Sequence, residues 1–449
     1  MVTPELLMPA GNFEKMQYAF AFGADAVYLG VPQFSLRARE NGFKDRSLVV
    51  EAIDYAHKLG KKIYITANIL PHNHKLDSFV KYVGKFLSEC QPDAWIMSDP
   101  GLIMLMGESF PDQIIHLSVQ ANTVNYASAR FWQKLGVKRI ILSRELSIKE
   151  MAVFSAECPG LEFEAFVHGS ICIAYSGRCL ISNYMSSRDP NQGTCSNSCR
   201  WEYKIHEKKE IQPEVLKEGL DSKDIAKTQH GDDYVPLTGD YYLEEAERPG
   251  QFFPIDEDEN GTYLMNARDL CGIEHLKELS QSGVVSFKVE GRSKSIYFVA
   301  MISRAYRKAI DDLQAGKDFN VDHFEDVFAT SSRGFIAGFL KGNPGHSAQN
   351  FDDGRSQNST YRFSGVLRGY DEDTKQMKVE MRNPIKEGMS LEMTLPEKTI
   401  TFEVENLLDQ NKNPVEAVHG GAGFCYIPYP TNPGEFVLFR EKLTQSTSV

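Results

Sequence analysis

A repeated unit in the first 310 residues constrains the fold of this chain more than any other feature. In each copy, a helix-like amphipathic segment ends at a Gly or Pro break, and a short run of β-branched and apolar residues follows. Gly suits the position after a helix, where a positive φ is favoured, and a short apolar run is typical of a parallel strand that is buried on both faces. The predicted strands lie within residues 5–9, 23–30, 60–68, 92–98, 113–118, 136–143, 162–168 and 283–290.

Eight such strands alternating with helices predict a (β/α)8 TIM-like barrel over residues 1–342, with a doubly wound open sheet as the lesser possibility. A polar insertion at about 205–260 separates the seventh strand from the eighth, and a long helix is predicted at 293–314. The 449 residues exceed the roughly 250–300 that one core usually organises, so a second domain is expected.

The chain changes character after residue 342. A Gly-, Pro- and Asn-containing stretch at 343–358 predicts a linker, and short alternating runs separated by turn residues follow it. These runs lie at 361–367, 376–381, 390–394, 400–407 and 423–427. They predict a small all-β, barrel-like domain at 359–440, with a tail at 441–449.

The formal net charge of −12 argues against a chain that holds nucleic acid through positive charge spread over its whole surface. The acidity is local, however, because the insertion at 205–260 has sixteen acidic and six basic residues, which leaves −2 for the rest. A local basic face can therefore still meet a polyanion. In the predicted β domain the candidates are Arg362, Arg368, Lys375, Lys378, Arg382 and Lys386.

The amino terminus does not resemble a secretion signal, and no run approaches the ~18 apolar residues that a membrane helix needs. We therefore expect a cytoplasmic protein with no membrane partner. Eight cysteines in a chain of this length are too sparse for a secreted disulfide framework. In a reducing compartment, grouped cysteines are more often metal ligands or catalytic groups.

Four cysteines fall within 28 residues directly after the seventh predicted strand. They are Cys172, Cys179, Cys195 and Cys199, separated by six, fifteen and three residues. Four thiolates at the carboxyl end of a barrel strand can bind an iron–sulfur cluster or a structural zinc, and the spacing leaves both open. The other four are scattered singly and are expected to pack in the core, with Cys271 as the only substitute ligand: Cys90, Cys158, Cys271 and Cys425.

Polar residues also gather where the predicted strands end, and in a barrel these ends form the mouth that holds the active site. Two guanidiniums there can hold a carboxylate bidentately, and an imidazole ordinarily titrates near neutrality. The predicted catalytic groups are His168, Arg144, Glu145, Glu290 and Arg292, and the predicted cofactor-binding groups are Asn68, Gln120 and Asn122. His72 and His74 follow Pro71 in a predicted loop and are expected at the surface.

Motifs of several enzyme classes are missing from the sequence. The string nearest to the zinc-protease His-Glu-x-x-His is at 206–210 and lacks the second His. There is no Gly-x-Ser-x-Gly nucleophile turn and no phosphate-binding P-loop. Glu202 stands where a radical S-adenosylmethionine enzyme would have a third Cys after Cys195 and Cys199.

Residues 164–182 resemble the signature of the collagenase-like peptidase family U32. Segments that resemble a tRNA-modifying branch of this family lie at 4–12, 23–28, 98–105, 116–122, 188–195 and 288–292. The resemblance implies that this branch hydroxylates the wobble uridine of certain tRNAs to 5-hydroxyuridine, the first step toward 5-carboxymethoxyuridine. It also implies dependence on prephenate as co-substrate and on an iron–sulfur cluster, which we expect to be of the 4Fe-4S type.

The resemblance also implies a ligand set, in which Cys172, Cys179 and Cys195 fall on the family's ligand positions. The fourth ligand varies, and the ubiquinone-hydroxylating branch has it near the position of Thr238, so Cys199 is expected here. Expected partners are tRNA and prephenate, with an electron donor or a paralogous subunit in addition. Two alternatives stay open, a peptidase and a non-catalytic RNA-binding or sulfur-relay subunit.

Overall fold

The computed structural model describes residues 3–36, 42–171, 175, 178, 241–244, 252–258, 261–263, 267–342, 344, 359–421 and 423–443. Eight parallel strands in this part of the chain form a closed ring, which confirms the predicted barrel and excludes the open sheet. They are β1 (Glu5–Pro9), β2 (Ala26–Gly30), β3 (Lys62–Ala67), β4 (Ala94–Met97), β5 (Ile115–Leu117), β6 (Arg139–Ile141), β7 (Glu162–Gly169) and β12 (Val284–Val289). β12 closes the ring because it pairs in parallel with both β1 and β7.

Helices surround this ring and connect its strands. They are α1 (Phe13–Ala21), α2 (Arg46–Lys58), α3 (Leu76–Leu87), α4 (Pro100–Ser109), α5 (Tyr126–Lys134), α6 (Ile148–Glu157), α7 (Leu276–Gln281), α8 (Ile296–Gln314) and α9 (Phe324–Phe328). The glycines predicted at the break before a strand have positive φ: Gly23, Gly60, Gly136 and Gly283. Within the described residues, no helix is long and apolar enough to cross a membrane.

The interior of the barrel contains a charged cluster near the amino ends of the strands. Arg139 is 2.7 Å from Glu5 and 2.8 Å from Glu162. Glu164 is 3.4 Å from the Arg139 Nη1 atom and accepts a hydrogen bond of 2.7 Å from Lys288 Nζ. Glu164 and Lys288 are 0% and 3% exposed. This cluster was not predicted from the sequence.

Additional strands lie between β7 and the second domain. In the insertion, β8 (Tyr241–Glu244), β9 (Phe252–Asp258) and β10 (Gly261–Tyr263) form an antiparallel sheet that was not predicted. The short strands β11 (Asp269–Cys271) and β13 (Phe335–Ile336) extend the barrel sheet, since β11 pairs antiparallel with β7 and parallel with β13.

The second domain is all-β, as predicted. Its strands are β14 (Tyr361–Asp371), β15 (Gln376–Met381), β16 (Ile385–Lys386), β17 (Ser390–Thr394), β18 (Thr399–Glu403), β19 (Ala417–Val418), β20 (Phe424–Pro428) and β21 (Leu438–Lys442). Six of them form one antiparallel sheet in the order β18-β17-β21-β14-β15-β20. β21 lies inside this sheet and was not predicted.

The β domain is fixed against α8 and α9 of the barrel by a buried ion-pair cluster. Arg304 of α8 binds both carboxylate oxygens of Asp326 in α9, at 2.6 and 2.7 Å. Arg440 of β21 is 3.3 Å from the same carboxylate and 2.7 Å from Glu392 of β17. Charges that are buried need such partners, so the relative position of the two domains depends on this cluster.

Candidate active site

Arg292, which follows β12, reaches across the carboxyl end of the barrel to the loop after β2. Its Nη1 donates hydrogen bonds to Ser35 Oγ at 3.0 Å and to Thr66 Oγ1 at 3.3 Å. Its Nη2 donates to the carbonyl of Leu36 at 2.6 Å. Arg292 therefore holds the β2 loop in place, in addition to any role toward a ligand.

Asn68, which follows β3, extends this network around the mouth. Its Oδ1 accepts a hydrogen bond of 3.2 Å from the amide of Leu36, and its Nδ2 donates to Ser118 Oγ at 3.4 Å. Ser98 Oγ donates to the Asn68 carbonyl at 3.0 Å. Ser118 Oγ also accepts from the amide of Gln120 at 3.3 Å. The structure thus connects the predicted residues Asn68 and Gln120 with the serines that follow β4 and β5.

Gly30, the last residue of β2, lies directly against Arg292 and was not singled out from the sequence. A Cβ at this position would be 2.6 Å from Ser35 Oγ and 2.7 Å from Arg292 Nη1, so a larger side chain would displace the guanidinium. A glycine inside a strand often marks such a close approach. The presence of a glycine inside a predicted strand was therefore the sequence signal that could have identified Gly30.

Arg144, which follows β6, lies over the ring of Phe166 in β7, with 3.8 Å between its Cζ atom and the ring centroid. Arg144 is half-buried and forms no ion pair with any residue that the structure describes. Lys288 Nζ is 5.6 Å from the centroid of the same ring. Phe166 therefore contacts both a mouth arginine and the charged cluster of the interior.

Glu145, the next residue, is half-buried, and its Oε2 atom is buried without a hydrogen-bond partner among the described residues. Burial raises the pKa of this carboxyl above its ordinary value. An acid with a raised pKa next to a mouth arginine can hold or release a proton, which is the usual requirement for general acid–base chemistry.

The raised pKa of Glu145 predicts a pH-dependent stability difference for Glu145→Gln. Since the folded state favours the protonated carboxyl, ionisation of Glu145 destabilises it as the pH rises above 4.5, the ordinary pKa of this group. We expect Glu145→Gln to have a higher Tm than the parent chain at pH 8, and the difference to close at pH 4. A Tm difference that is independent of pH would contradict this assignment. Thermal unfolding in matched buffers measures it.

His168 lies between β7 and α8 instead of facing Arg144 and Arg292. It is 1% exposed, and its Nδ1 atom is 3.3 Å from the Tyr306 hydroxyl. Its Nε2 atom is buried without a hydrogen-bond partner among the described residues. Burial lowers the pKa of this imidazole to about 3, so the expected titration near neutrality is wrong. Its assignment as a catalytic group stays a prediction.

Glu290 and Asn122 are held at the mouth through their backbones. The amide of Glu290 donates a hydrogen bond of 2.9 Å to the carbonyl of His168. Gly169, with a φ of +107°, allows this approach, because a Cβ there would be 2.5 Å from the Glu290 carbonyl oxygen. Asn122 has a φ of +54° and ends the short helix Val119–Ala121. The functional roles of both residues stay predictions.

Two family models together match most of this chain. The model of peptidase family U32 matches residues 11–350, and the model of the U32 C-terminal domain matches residues 359–440. The chain belongs to peptidase family U32. The resemblance inferred from the sequence is therefore confirmed, for the barrel and for the β domain.

Three relatives in this family bear on function. "tRNA hydroxylation protein P" of Haemophilus influenzae is 43% identical over 452 residues, which cover 99% of this chain and 97% of the relative. The protein of the same name from Escherichia coli is 43% identical and covers 96% and 94%. The "23S rRNA 5-hydroxycytidine C2501 synthase" of Escherichia coli is 29% identical, over 76% of this chain and 46% of the relative.

The cysteines predicted as ligands in this U32 chain, Cys172, Cys179, Cys195 and Cys199, lie outside the described residues. The described chain reaches Ile171, two residues beyond the end of β7 at Gly169. Among described residues, no group of three or more His, Cys, Asp or Glu side chains could hold a metal ion.

The four scattered cysteines and the two loop histidines lie within the described residues. Cys90, Cys158, Cys271 and Cys425 are buried, which confirms their predicted packing role. Cys271 Sγ is 4.0 Å from the Tyr306 hydroxyl, the group that also contacts His168. His72 and His74 are exposed, which confirms their expected position at the surface.

Proposed function

We propose that this chain hydroxylates tRNA. The observation that carries the proposal is the 43% identity, over nearly the whole chain, to proteins named for tRNA hydroxylation. The more distant relative is named for 5-hydroxycytidine in ribosomal RNA, which supports a C5-hydroxylated pyrimidine as the product. The proposed target is the wobble uridine, and the proposed product is 5-hydroxyuridine, from which 5-carboxymethoxyuridine is made.

The proposed cofactor is an iron–sulfur cluster of the 4Fe-4S type, held by Cys172, Cys179, Cys195 and Cys199. The chemistry of the donor set supports this, because four thiolates are the usual ligands of such clusters. The first cysteine follows β7 by three residues, at the barrel end where active sites lie. When bound, the cluster would supply one-electron transfer.

The proposed co-substrate is prephenate, and Arg144 is the residue best suited to bind one of its carboxylates. A guanidinium can hold a carboxylate through two parallel hydrogen bonds. Arg144 has no ion pair with a described residue, whereas Arg292 donates two hydrogen bonds to the β2 loop and one to Thr66 of β3. We therefore assign ligand binding to Arg144 and positioning of the mouth to Arg292. Asn68, Gln120 and Asn122 would orient the same ligand, and Glu145 would hold or release a proton.

A deletion strain tests the proposed function. Bulk tRNA from the strain, grown without oxygen to silence any oxygen-dependent enzyme of the same specificity, is digested and analysed by mass spectrometry. We expect nucleosides derived from 5-hydroxyuridine to be lost and to return with the intact gene. Unchanged modification in the deletion strain would contradict tRNA hydroxylation by this chain. No observation on the described residues favours peptidase activity, so we do not propose it.

The Arg144→Gln variant tests the assignment of the co-substrate site. Loss of a charge-assisted, bidentate contact of about 1.5–3 kcal/mol should raise the prephenate concentration required for half-maximal product at least tenfold. The control is Arg130→Gln, since Arg130 forms an exposed pair with Glu157 between α5 and α6. An unchanged prephenate requirement in Arg144→Gln would show that another residue binds the carboxylate.

A further inference from the structure

A cleft lies at the junction of the barrel and the β domain, beside the barrel mouth. It has a volume of about 170 Å³ and is lined by the start of α8, the loop after α9 and the first residues of β14. Polar lining residues include Lys294, Ser295, Thr330, Ser331 and Ser359. No residue that the structure places in its lining is acidic.

Lys294 supplies the positive charge of the cleft. It is two residues beyond Arg292, so it lies at the carboxyl end of the barrel. It is half-buried, with its Nζ atom 5.4 Å from the centroid of the Phe298 ring. Its ammonium forms no ion pair with a residue that the structure describes. Asp269, the carboxylate on which Lys294 acts electrostatically, is itself paired with Arg333, so the ammonium is available to an anion.

The start of α8 adds a second source of positive potential. Ser295 caps this helix of 19 residues by accepting a hydrogen bond from the amide of Phe298. The amino end of a long helix carries partial positive charge and attracts phosphate. Ser331 is exposed at the opposite side of the cleft and can donate a hydroxyl hydrogen bond.

Tyr297 connects the cleft with the buried ion-pair cluster between the two domains. This residue lines the cleft, is 4% exposed and stacks on Phe363 of β14 with 4.8 Å between ring centroids. Its hydroxyl is buried and interacts with the Arg440 guanidinium of that cluster. The ring of Tyr297 therefore forms an apolar wall of the cleft, and the polar contacts to a ligand come from the residues around it.

The basic residues predicted on the β domain are less available than Lys294. Arg362 pairs with Glu441, Lys375 with Glu372, and both Arg368 and Arg382 with Glu380. Lys378 lies over the ring of Phe424, with 4.2 Å from its Nζ atom to the centroid. Paired charges of this kind attract a polyanion weakly, which leaves the cleft as the stronger candidate.

We propose that this cleft binds a backbone phosphate of the RNA strand whose target nucleotide enters the barrel mouth. An ammonium, hydroxyl groups and a helix amino end are the groups that proteins use to bind nucleic-acid phosphates. This inference rests on the proposed function and adds to it a docking site outside the mouth. Such contacts position the strand without reading its sequence.

Binding of a fluorescently labelled tRNA transcript to the full chain, measured by anisotropy at several salt concentrations, tests the site. Lys294→Ala should weaken binding about fivefold at low salt and reduce the slope of log affinity against log salt by about one. Ser331→Asp, which places a carboxylate at the exposed side of the cleft, should weaken binding further. The control is Lys134→Ala, at the last residue of α5 and the opposite end of the barrel.

The outcomes separate this inference from the proposed function. If the parent chain binds tRNA and Lys294→Ala and Ser331→Asp bind it equally well, the phosphate site is wrong while tRNA hydroxylation stands. If Lys134→Ala weakens binding as much as Lys294→Ala, the effect is one of overall charge, and the site is again wrong. If the parent chain does not bind tRNA, the proposed function fails together with the site.

Discussion

Replacing Lys288 with Met is expected to destabilise the barrel by about 3–5 kcal/mol, because one partner of a buried ion pair is removed and the other charge remains buried. Glu164 is 0% exposed and accepts a 2.7 Å hydrogen bond from Lys288, while its other partner, Arg139, is 3.4 Å away and also binds Glu5. The chain's tryptophans, Trp95, Trp132 and Trp201, all precede residue 342, so urea unfolding followed by their fluorescence reports the barrel.

The double variant Glu164→Gln/Lys288→Met is the control for this prediction. It removes both charges, and neutral replacement of a buried ion pair is often tolerated. We expect it to recover most of the stability lost in Lys288→Met. A double variant whose loss equals the sum of the two single losses would show that Glu164 and Lys288 do not stabilise each other.

The barrel could be predicted because two local signals repeat together. Glycines such as Gly23 and Gly136 end helices with a positive φ, and a short apolar strand follows each of them. β11 and β13 have three and two residues, too short for any periodicity. β21 could not be predicted for a different reason, since its first three residues are all buried and do not alternate, and Arg440 is buried only through partners on other elements.

The mouth could be predicted from strand ends, but the contacts within it could not. Arg144 and Arg292 look equivalent in the sequence, since each follows a strand. In the structure Arg144 lies over the ring of Phe166, whereas Arg292 binds the β2 loop. These contacts join residues that are far apart in the chain. A local sequence pattern therefore cannot predict which arginine is left to bind a ligand.

The interior cluster did leave a signal in the sequence. Glu164 and Lys288 are charged residues within runs predicted as strands that are buried on both faces. A charge in such a run has to find a partner inside the barrel. His168 shows the opposite case, because its position at the end of β7 suggested the mouth, while its ring is packed against α8 with Tyr306 and Phe298.

β7 connects these regions along one strand. Glu164 belongs to the interior cluster, Phe166 to the mouth and His168 to the interface with α8, and the cysteine segment starts three residues beyond its end. β11 and β12 pair with β7 on both sides at His168. The cysteine segment therefore begins directly after a strand that pairs with both β11 and β12 at its end.

Replacing Cys172 with Ser is expected to remove the bound iron, about four atoms per chain for a 4Fe-4S cluster, and to reduce the tRNA product below detection. A serine oxygen binds the iron of such clusters more weakly than a thiolate does, so the cluster should be lost during purification. Anaerobic purification followed by iron and zinc analysis, with mass spectrometry of tRNA from the complemented deletion strain, measures both effects. Cys179→Ser, Cys195→Ser and Cys199→Ser should behave alike.

Cys90→Ser is the matched control, because Cys90 lies in the barrel core and its Sγ donates a hydrogen bond of 3.7 Å to the Phe86 carbonyl, which a serine hydroxyl can replace. This variant should keep both iron and product. A colourless parent protein with about one zinc per chain would contradict the cluster and favour a structural metal, the alternative that the cysteine spacing leaves open. Loss of product in Cys199→Ser with full retention of iron would instead show that the fourth ligand lies elsewhere, and Cys271, buried beside Tyr306, would be the next residue to test.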